Sequence, residues 1–306
     1  MPKSYKDLIG DGGSDIEGQV NEQITRLRAR LQSIRATVAI VSGKGGVGKS
    51  ILAVNLATAA AMAGARVGIL DADLNGPSIA KMTGVRGQSL VMTVQGMQPV
   101  QGPAGMQVMS MDLLLPQDDT PLTWQATTQI DTYLWRSSME ATALREFLSD
   151  TIWGELDVLF LDLAPGADRL ATLAGLLPGL TGAILVTIPS EISHFVVRKS
   201  LVLARELKVP ILGLIENMAG YYCQNCQELG ELFRPGQGLM LARDFGIRFL
   251  GEVPFDPRLA RLGDSGIPFV AMHQKTATGQ IFQRITRELM ARLKGEKPIH
   301  TESEGI

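Results

Sequence analysis

The segment GKGGVGKS at residues 43–50 constrains the fold of this chain more than any other stretch. It follows an apolar run at residues 37–41 and leads into a helical pattern at residues 49–63, the order that a phosphate-binding loop requires. Glycines let backbone N–H groups turn toward phosphate oxygens, and the following helix adds a positive partial charge. We therefore expect a nucleotide site here; the alternative is a glycine-rich turn that happens to fit the pattern.

The polar side chains of this loop have separate expected tasks. Lys49 is expected to contact the β- and γ-phosphates of ATP, and the Ser50 hydroxyl is expected to bind Mg2+. Lys44 is a second lysine inside the loop, at a position where an ordinary phosphate-binding loop has no requirement; it belongs either to the site or to the solvent-exposed surface. The expected ATP-binding residues of the loop are Gly43, Lys44, Gly45, Gly46, Val47, Gly48, Lys49, Ser50 and Ile51.

The rest of the chain predicts an α/β fold with a mostly parallel β-sheet flanked by helices. Apolar runs alternate with helical patterns, which is typical of βαβ units. Strands are predicted at residues 37–41, 66–70, 157–161, 182–187 and 210–215. Helices are predicted at residues 49–63, 139–153, 191–207 and 279–293. Residues 86–130 break the alternation, and we expect short strands and loops there.

Both ends of the chain are predicted to lie outside this domain, which we place at residues 36–293. Residues 1–35 combine a polar start with an amphipathic helix, in which apolar residues from Ile16 to Ile34 recur at three- and four-residue steps. That helix is expected either to pack on the domain surface or to bind a partner. Residues 294–306 are expected to form a polar tail.

The composition disfavours two classes of partner. The 306 residues carry a formal net charge of -2 and have an isoelectric point of about 6.0, so no global basic field would attract nucleic acid or acidic lipid. No apolar run reaches the roughly 20 residues that a membrane-spanning helix needs. The first residues lack the apolar centre of a signal peptide. We therefore expect a cytoplasmic protein with no nucleic-acid and no membrane partner.

Carboxylates follow two of the predicted strands, at the sheet edge where ligands of such folds bind. Asp71 and Asp73 follow one strand, and Asp162 follows another. We expect Asp73 to orient or deprotonate the attacking water and Asp71 to hold a Mg2+-bound water. Asp162 fits a Walker B carboxylate, which binds Mg2+. For all three, the alternative is a capping or turn aspartate without a ligand.

The chain has two cysteines, Cys223 and Cys226, which form a C-x-x-C motif. A [4Fe-4S] cluster ordinarily takes four thiolates, so two chains would be needed to hold one. A two-fold dimer would bring both cysteine pairs to its symmetry axis. The same four thiolates would also hold Zn2+, and a single pair could form a redox disulfide or have only a structural role.

Four segments together resemble a known family. The loop KGGVGKS, with Lys44, resembles the deviant Walker A motif of the MinD/Mrp/nitrogenase iron protein (SIMIBI) class. With the segments DADLNGPSIAKMTG, ENMAGYYCQNC and FGIRFLGEVPFDPRLARLGDSGIPFV, residues 36–293 resemble the Mrp/ApbC family of iron-sulfur cluster carrier ATPases.

The resemblance implies a MinD-like P-loop fold and a homodimer in which Lys44 reaches the phosphates bound by the partner subunit. It implies ATP and Mg2+ as cofactors, a [4Fe-4S] cluster bridging two subunits on Cys223 and Cys226, and apo iron-sulfur proteins as recipients. It also implies that Asn217 binds adenine, beside a loop at Pro254; otherwise Asn217 is a turn residue at a strand end.

The chain departs from the family pattern at two places. Ile51 replaces the usual threonine, so we expect weakened nucleotide affinity. After Asp162 the family reads close to D-L-P-P-G-T-G-D, whereas this chain reads D-L-A-P-G-A-D-R, and we expect slow hydrolysis. The differing positions there are Ala164, Ala167, Asp168 and Arg169.

The leading hypothesis is therefore an ATP-hydrolysing carrier that transfers a [4Fe-4S] cluster to apoproteins. Two other functions remain open. One is a MinD/ParA-like positioning ATPase, and the other is a nucleotide-dependent scaffold with a structural zinc.

Overall fold

The computed structural model of the chain describes residues 16–115, 129–223, 225–226, 228–233 and 236–295. Its strands are β1 (Thr37–Ser42), β2 (Val67–Ala72), β3 (Val91–Thr93), β4 (Gly96–Gln98), β5 (Val100–Gln101), β6 (Gln107–Met109), β7 (Val158–Leu163), β8 (Gly182–Thr187), β9 (Ile211–Tyr222), β10 (Leu229–Gly230) and β11 (Phe249–Phe255). Its helices are α1 (Ile16–Gln32), α2 (Lys49–Met62), α3 (Ile79–Met82), α4 (Gln129–Asp150), α5 (Ala167–Leu176), α6 (Glu191–Glu206), α7 (Gln237–Asp244), α8 (Pro257–Asp264), α9 (Phe269–Met272) and α10 (Ala277–Leu293).

Among the described residues, nine strands form one sheet in the order β10-β9-β8-β1-β7-β2-β6-β5, with β11 beside β9. The pairings within it are parallel except at its short strands β5 and β10. Strands β3 and β4 form a separate hairpin. The predicted fold class, a mostly parallel sheet flanked by helices, is confirmed.

The central strand β1 shows why the strands are apolar throughout. Val38 and Ile40 belong to the core formed with α2 and α10, whereas Ala39 and Val41 belong to the core formed with α4 and α5. Successive side chains of a strand point to opposite faces, so a strand covered by helices on both faces needs apolar residues at every position. Because β1, β2, β7, β8 and β9 are parallel, their carboxyl ends meet at one edge of the sheet, where the loops of the site emerge.

The five predicted strands are present, but two expectations about the elements were wrong. The last predicted strand does not end at Ile215: β9 continues to Tyr222 because Glu216 and Asn217, which interrupt the apolar run, are buried at 1% and 5% exposure. The helix predicted at residues 139–153 instead spans Gln129–Asp150. Ile130, Tyr133 and Leu134 already stand at helical spacing in its first turns, so the sequence carried a signal for the earlier start that the prediction did not use.

Helix α1 packs within the chain, as one of its two interpretations proposed. Leu27 is buried in the same core as α4, and Arg30 Nε donates a hydrogen bond to the Ser149 carbonyl at 3.4 Å. The short strands expected within residues 86–130 are β3 to β6, although residues 116–128 lie outside the described part, as do residues 1–15 and 296–306. Within the described residues, no helix is long and apolar enough to span a membrane.

Candidate nucleotide site and cysteine turn

The phosphate-binding loop connects β1 to α2 in a conformation that only glycine adopts readily. Gly46 and Gly48 both have a φ angle of 78°, in the left-handed region. A Cβ atom on Gly48 would also lie 2.3 Å from the Asn217 side-chain nitrogen. Gly46 and Gly48 are therefore required by the turn, and Gly48 also by the close approach of β9.

Lys49 and Asp162 form a buried ion pair at the start of α2. Lys49 Nζ lies 2.6 Å from Asp162 Oδ1 and 3.3 Å from Ser50 Oγ. The Lys49 side chain is 7% exposed and that of Asp162 is 0% exposed. Asp162 Oδ2 is buried and has no hydrogen-bond partner within the described chain. The Asp162 carboxylate and the Ser50 hydroxyl, which both contact Lys49 Nζ, are suitable oxygen ligands for Mg2+, directly or through water.

Asp71 is fully buried next to Asp162, its neighbour in the pairing of β2 with β7. Its Oδ2 accepts hydrogen bonds from the N–H groups of Ser78 at 2.8 Å and Ile79 at 3.0 Å. Ser110 Oγ lies 3.2 Å from the same oxygen, and the sequence did not single out that serine. These contacts agree with the alternative interpretation, in which Asp71 caps the following helix without a ligand. The binding of a Mg2+-bound water by Asp71 stays a prediction.

The burial of Asp71 changes its acidity. Desolvation, together with the nearby Asp162 charge, raises the pKa of Asp71 to about 7. The hydrogen bonds from the Ile79 and Ser78 backbones and the charge of Lys49 oppose that rise. Asp71 and Asp162, at the carboxyl ends of β2 and β7, are thus two buried acids that share the positive charge of Lys49. A divalent cation bound there would add positive charge and lower the pKa of Asp71.

The loops after β7 and β2 lie on the same side of the phosphate-binding loop, because β7 and then β2 follow β1 in the sheet. Asp73 is partly exposed, and its Oδ1 accepts a hydrogen bond from the Gly76 N–H at 3.2 Å. Gly166 donates its N–H to the Ser42 carbonyl at 3.0 Å, which ties the loop after β7 to the end of β1. Lys44 is exposed, and Ile51 packs against the core.

Strand β9 touches the phosphate-binding loop directly. Asn217 Nδ2 donates a hydrogen bond to the Val47 carbonyl at 2.8 Å, and its contact with adenine stays a prediction. Met218, the next residue, has a φ angle of 56°, which is unusual for a residue with a side chain. Pro254, expected in a loop, is instead buried within strand β11, because Val253 and Phe255 on either side of it pair with β9.

The two cysteines lie in the turn that joins β9 to β10. The Cys223 N–H donates to the Glu228 carbonyl at 3.0 Å, and Leu229 pairs with Tyr222, so the turn is closed by antiparallel bonds. Both cysteines are free thiols; Cys223 is partly exposed and Cys226 is exposed. Hydrogen bonds from the backbone N–H groups of Cys226 and Asn225, and then from the Cys226 side chain, lower the pKa of Cys223.

The cysteine turn therefore presents two thiols outward with donors that favour a thiolate, the form that binds metals. No group of three or more His, Cys, Asp or Glu side chains in the described residues could hold a metal ion. A tetrahedral or cluster site at this turn would thus need ligands beyond those that the described residues of one chain supply.

Sequence reasoning also missed Glu140 in α4. The residue is buried, and its side chain contacts the loops after both β2 and β7. The sequence did indicate that Glu140 is buried, because at helical spacing it lies on the same face of α4 as Leu144, Phe147 and Leu148, which are buried in the core. A carboxylate on an apolar stripe needs a buried partner.

Comparison with known proteins assigns the chain to a family. Residues 33–290 match the model of the ParA family described as NUBPL iron-transfer P-loop NTPase. The chain belongs to this family. It is 41% identical over 277 residues to a protein of Saccharolobus solfataricus named iron-sulfur cluster carrier protein, covering 89% of this chain and 90% of the relative. The mostly parallel sheet and the phosphate-binding loop are therefore those of a P-loop NTPase.

Two solved structures support the same assignment. A nucleotide-binding protein from Archaeoglobus fulgidus in complex with ADP is 36% identical, with a TM-score of 0.68, over 80% of this chain and 92% of that protein. The MinD cell division protein of Aquifex aeolicus has a TM-score of 0.56 at 19% identity, over 86% of this chain and 98% of MinD. At that low identity, the second likeness concerns the fold alone.

Proposed function

We propose that the protein is an ATP-hydrolysing carrier that holds a [4Fe-4S] cluster between two copies of the chain and passes it to apo iron-sulfur proteins. One observation carries this proposal. Strand β9 both contacts the phosphate-binding loop, through Asn217, and ends at the cysteine turn, one residue before Cys223. Relatives named for cluster carriage, such as the S. solfataricus protein, support the same function.

The nucleotide half of the proposal assigns tasks to residues around Lys49. Lys49, which neutralises Asp162 in the structure, would bind the β- and γ-phosphates, leaving Asp162 and Ser50 to hold Mg2+. Mg2+ would supply charge neutralisation on the phosphate oxygens. Asp73 would orient the water that attacks the γ-phosphate, with the β-phosphate oxygen as leaving group.

The cluster half of the proposal depends on a second chain. Cys223 and Cys226 supply two thiolates, and a [4Fe-4S] cluster takes four. A two-fold dimer that joins two cysteine turns would complete the ligand set. Nucleotide can change cluster retention only if it favours one arrangement of the two chains over another, and β9 is the direct connection through which it would do so.

Anaerobic reconstitution with iron and sulfide tests the cluster half. We expect about two iron and two labile sulfide per chain, because one four-iron cluster is shared by two chains. The cluster-bound protein should sediment as a dimer, and Cys223→Ser and Cys226→Ser should each lose the sulfide and the visible absorption. Uptake of zinc without labile sulfide would instead support a structural zinc and would contradict the carrier function.

Transfer is tested separately. The reconstituted protein should restore activity to an apo form of a [4Fe-4S] enzyme in the presence of a ferrous-iron chelator, which captures free iron. Reconstitution mixtures prepared with Cys223→Ser serve as the control. Equal restoration by that control would mean that the enzyme is activated by loose iron and sulfide, not by this protein.

A further inference from the structure

The carboxylate of Glu140 divides its two oxygens between two loops of the nucleotide site. Asn75 Nδ2 donates to Glu140 Oε1 at 2.7 Å, and Arg169 Nη1 donates to Glu140 Oε2 at 2.5 Å. Glu140 is 7% exposed in this ion pair and Arg169 is 31% exposed. A buried charge in such a place is retained only if its partners satisfy it, so the three side chains form one unit.

Each partner of Glu140 belongs to a loop with a task in the proposed hydrolysis. Asn75 lies two residues after Asp73, in the turn closed by the Gly76 N–H. Arg169 lies in the first turn of α5, three residues after Gly166, whose N–H is bound to the end of β1. A displacement of either loop would therefore pull on the other through a single side chain.

The charge of Arg169 is suited to its position. Its guanidinium faces the carboxylate of the buried Glu140. An aspartate there would place a second negative charge against the buried Glu140, which is unfavourable at short range. The altered loop after Asp162 and the buried glutamate in α4 are thus electrostatically matched to each other.

The far end of α4 is anchored as well. Arg30 Nε of α1 donates to the Ser149 carbonyl at 3.4 Å, and Arg26 Nε lies 3.9 Å from Asp150 Oδ1. Because Glu140 and these contacts lie on one continuous helix, α4 connects both loops to α1.

We propose that Glu140 is a positioning residue that makes the loops after β2 and β7 move as one during ATP hydrolysis. This inference rests on the proposed ATPase function. The Glu140 carboxylate bonds to Asn75 and Arg169, so through these contacts its effect on the carboxylates assigned to Mg2+ and water is on their placement. Loss of the connection should lower kcat and leave nucleotide affinity close to that of the wild type.

The main test is Glu140→Gln, with steady-state ATPase kinetics and nucleotide titration. The amide can still accept the hydrogen bond from Asn75 but loses its ion pair with Arg169, so we expect kcat to fall by about tenfold with KM changed by less than about threefold. Arg169→Lys, which keeps the charge, should retain more activity than Arg169→Asp. Glu146→Gln is the matched control, because Glu146 is exposed on the same helix.

A double variant separates positioning from general destabilisation. Glu140→Gln with Arg169→Met also removes the guanidinium, which in Glu140→Gln would keep its 3.7 Å contact with Asp168 but lose Glu140. The double variant should recover much of the melting temperature, whereas kcat should stay low. Recovery of kcat together with the melting temperature would mean that Glu140 is only structural. Arg169→Met alone supplies the same comparison should Glu140→Gln fail to fold.

The two proposals fail in different ways. A wild-type protein that binds but does not hydrolyse ATP would overturn the ATPase function and this inference with it. A wild-type protein with measurable turnover and an unchanged kcat in Glu140→Gln would overturn only the role of Glu140.

Discussion

At the residue scale, the ion pair of Lys49 and Asp162 holds the nucleotide site in a charge-balanced state. The pair is buried, and removing either charge would leave the other without compensation at a cost of about 3–5 kcal/mol. Phosphates that attract Lys49 would therefore need to be accompanied by a cation that takes its place beside Asp162. This gives a physical reason why ATP and Mg2+ would bind together.

The acidity of Cys223 yields a prediction at the same scale. In Cys226→Ala, which leaves Cys223 as the chain's remaining thiol, the rate of alkylation should rise with pH around a midpoint below the ordinary value of about 8.5. The reason is that the backbone N–H groups at positions 225 and 226 lower the pKa of Cys223 in the folded turn. Iodoacetamide modification followed by mass spectrometry measures this rate.

The same variant unfolded in urea provides the control. Unfolding removes the turn, so the midpoint should return to the ordinary value for a free thiol. A midpoint that is identical in the folded and unfolded protein would show that the turn does not favour the thiolate.

At the scale of elements, the sequence predicted the strands and helices whose apolar pattern is uninterrupted. Strand β1 and helix α2 were placed within one residue at each end because covered strands and helices are apolar at the buried positions. The extension of β9 through Glu216 and Asn217 could not be predicted in this way. Those polar residues are buried because tertiary partners bind them: His194 Nε2 lies 3.1 Å from Glu216 Oε1, and Asn217 bonds to Val47.

In the site too, some residues could be predicted from the sequence pattern, whereas the contacts of others depend on tertiary packing. Residues that follow strands in a parallel sheet, such as Asp71 and Asp162, could be identified because topology alone brings them to one edge. The spacing of α4 marks Glu140 as a buried carboxylate, but the loops that it contacts could not be predicted, because only the packing of α4 determines them.

Helix α8 provides a stability prediction, because its cap at Asp256 combines a hydrogen bond with an ion pair. Asp256 Oδ1 accepts from the Arg258 N–H at 3.0 Å, and Oδ2 lies 2.6 Å from Arg258 Nη2 and 3.2 Å from Thr278 Oγ1. Burial alone would raise the pKa of Asp256, but the bonds from Arg258 and Thr278 hold it below its ordinary value. Asp256→Asn, which keeps the cap but not the charge, should therefore cost about 2 kcal/mol of unfolding free energy at pH 7.

The pH dependence of this cost has a definite sign. A depressed folded-state pKa stabilises the protein above the unfolded pKa, near 4, and the stabilisation is lost as the pH falls through the folded value. The difference in urea unfolding between wild type and Asp256→Asn should thus be constant above about pH 5 and shrink below about pH 4. Asp264→Asn, at the exposed end of the same helix, is the control. A difference that does not change down to pH 3 would contradict the assignment.

At the scale of the whole molecule, the features that one chain leaves incomplete point to a second copy. Lys44 is exposed, although it lies inside the phosphate-binding loop. Cys223 and Cys226 provide half of the thiolates that a four-iron cluster takes. The two-fold dimer of the proposed function would account for both features together.

Mixing two inactive variants tests whether Lys44 acts across that dimer. Lys44→Ala and Lys49→Ala chains should each have little ATPase activity alone. In a mixed dimer, the site on the Lys44→Ala chain keeps its own Lys49 and receives Lys44 from the other subunit, so one of the two sites is restored. Random pairing of equal amounts makes half of the dimers mixed, and the mixture should therefore regain about a quarter of the wild-type rate. If Lys44 instead serves the site of its own chain, every site in every dimer lacks one lysine, and mixing should restore no activity.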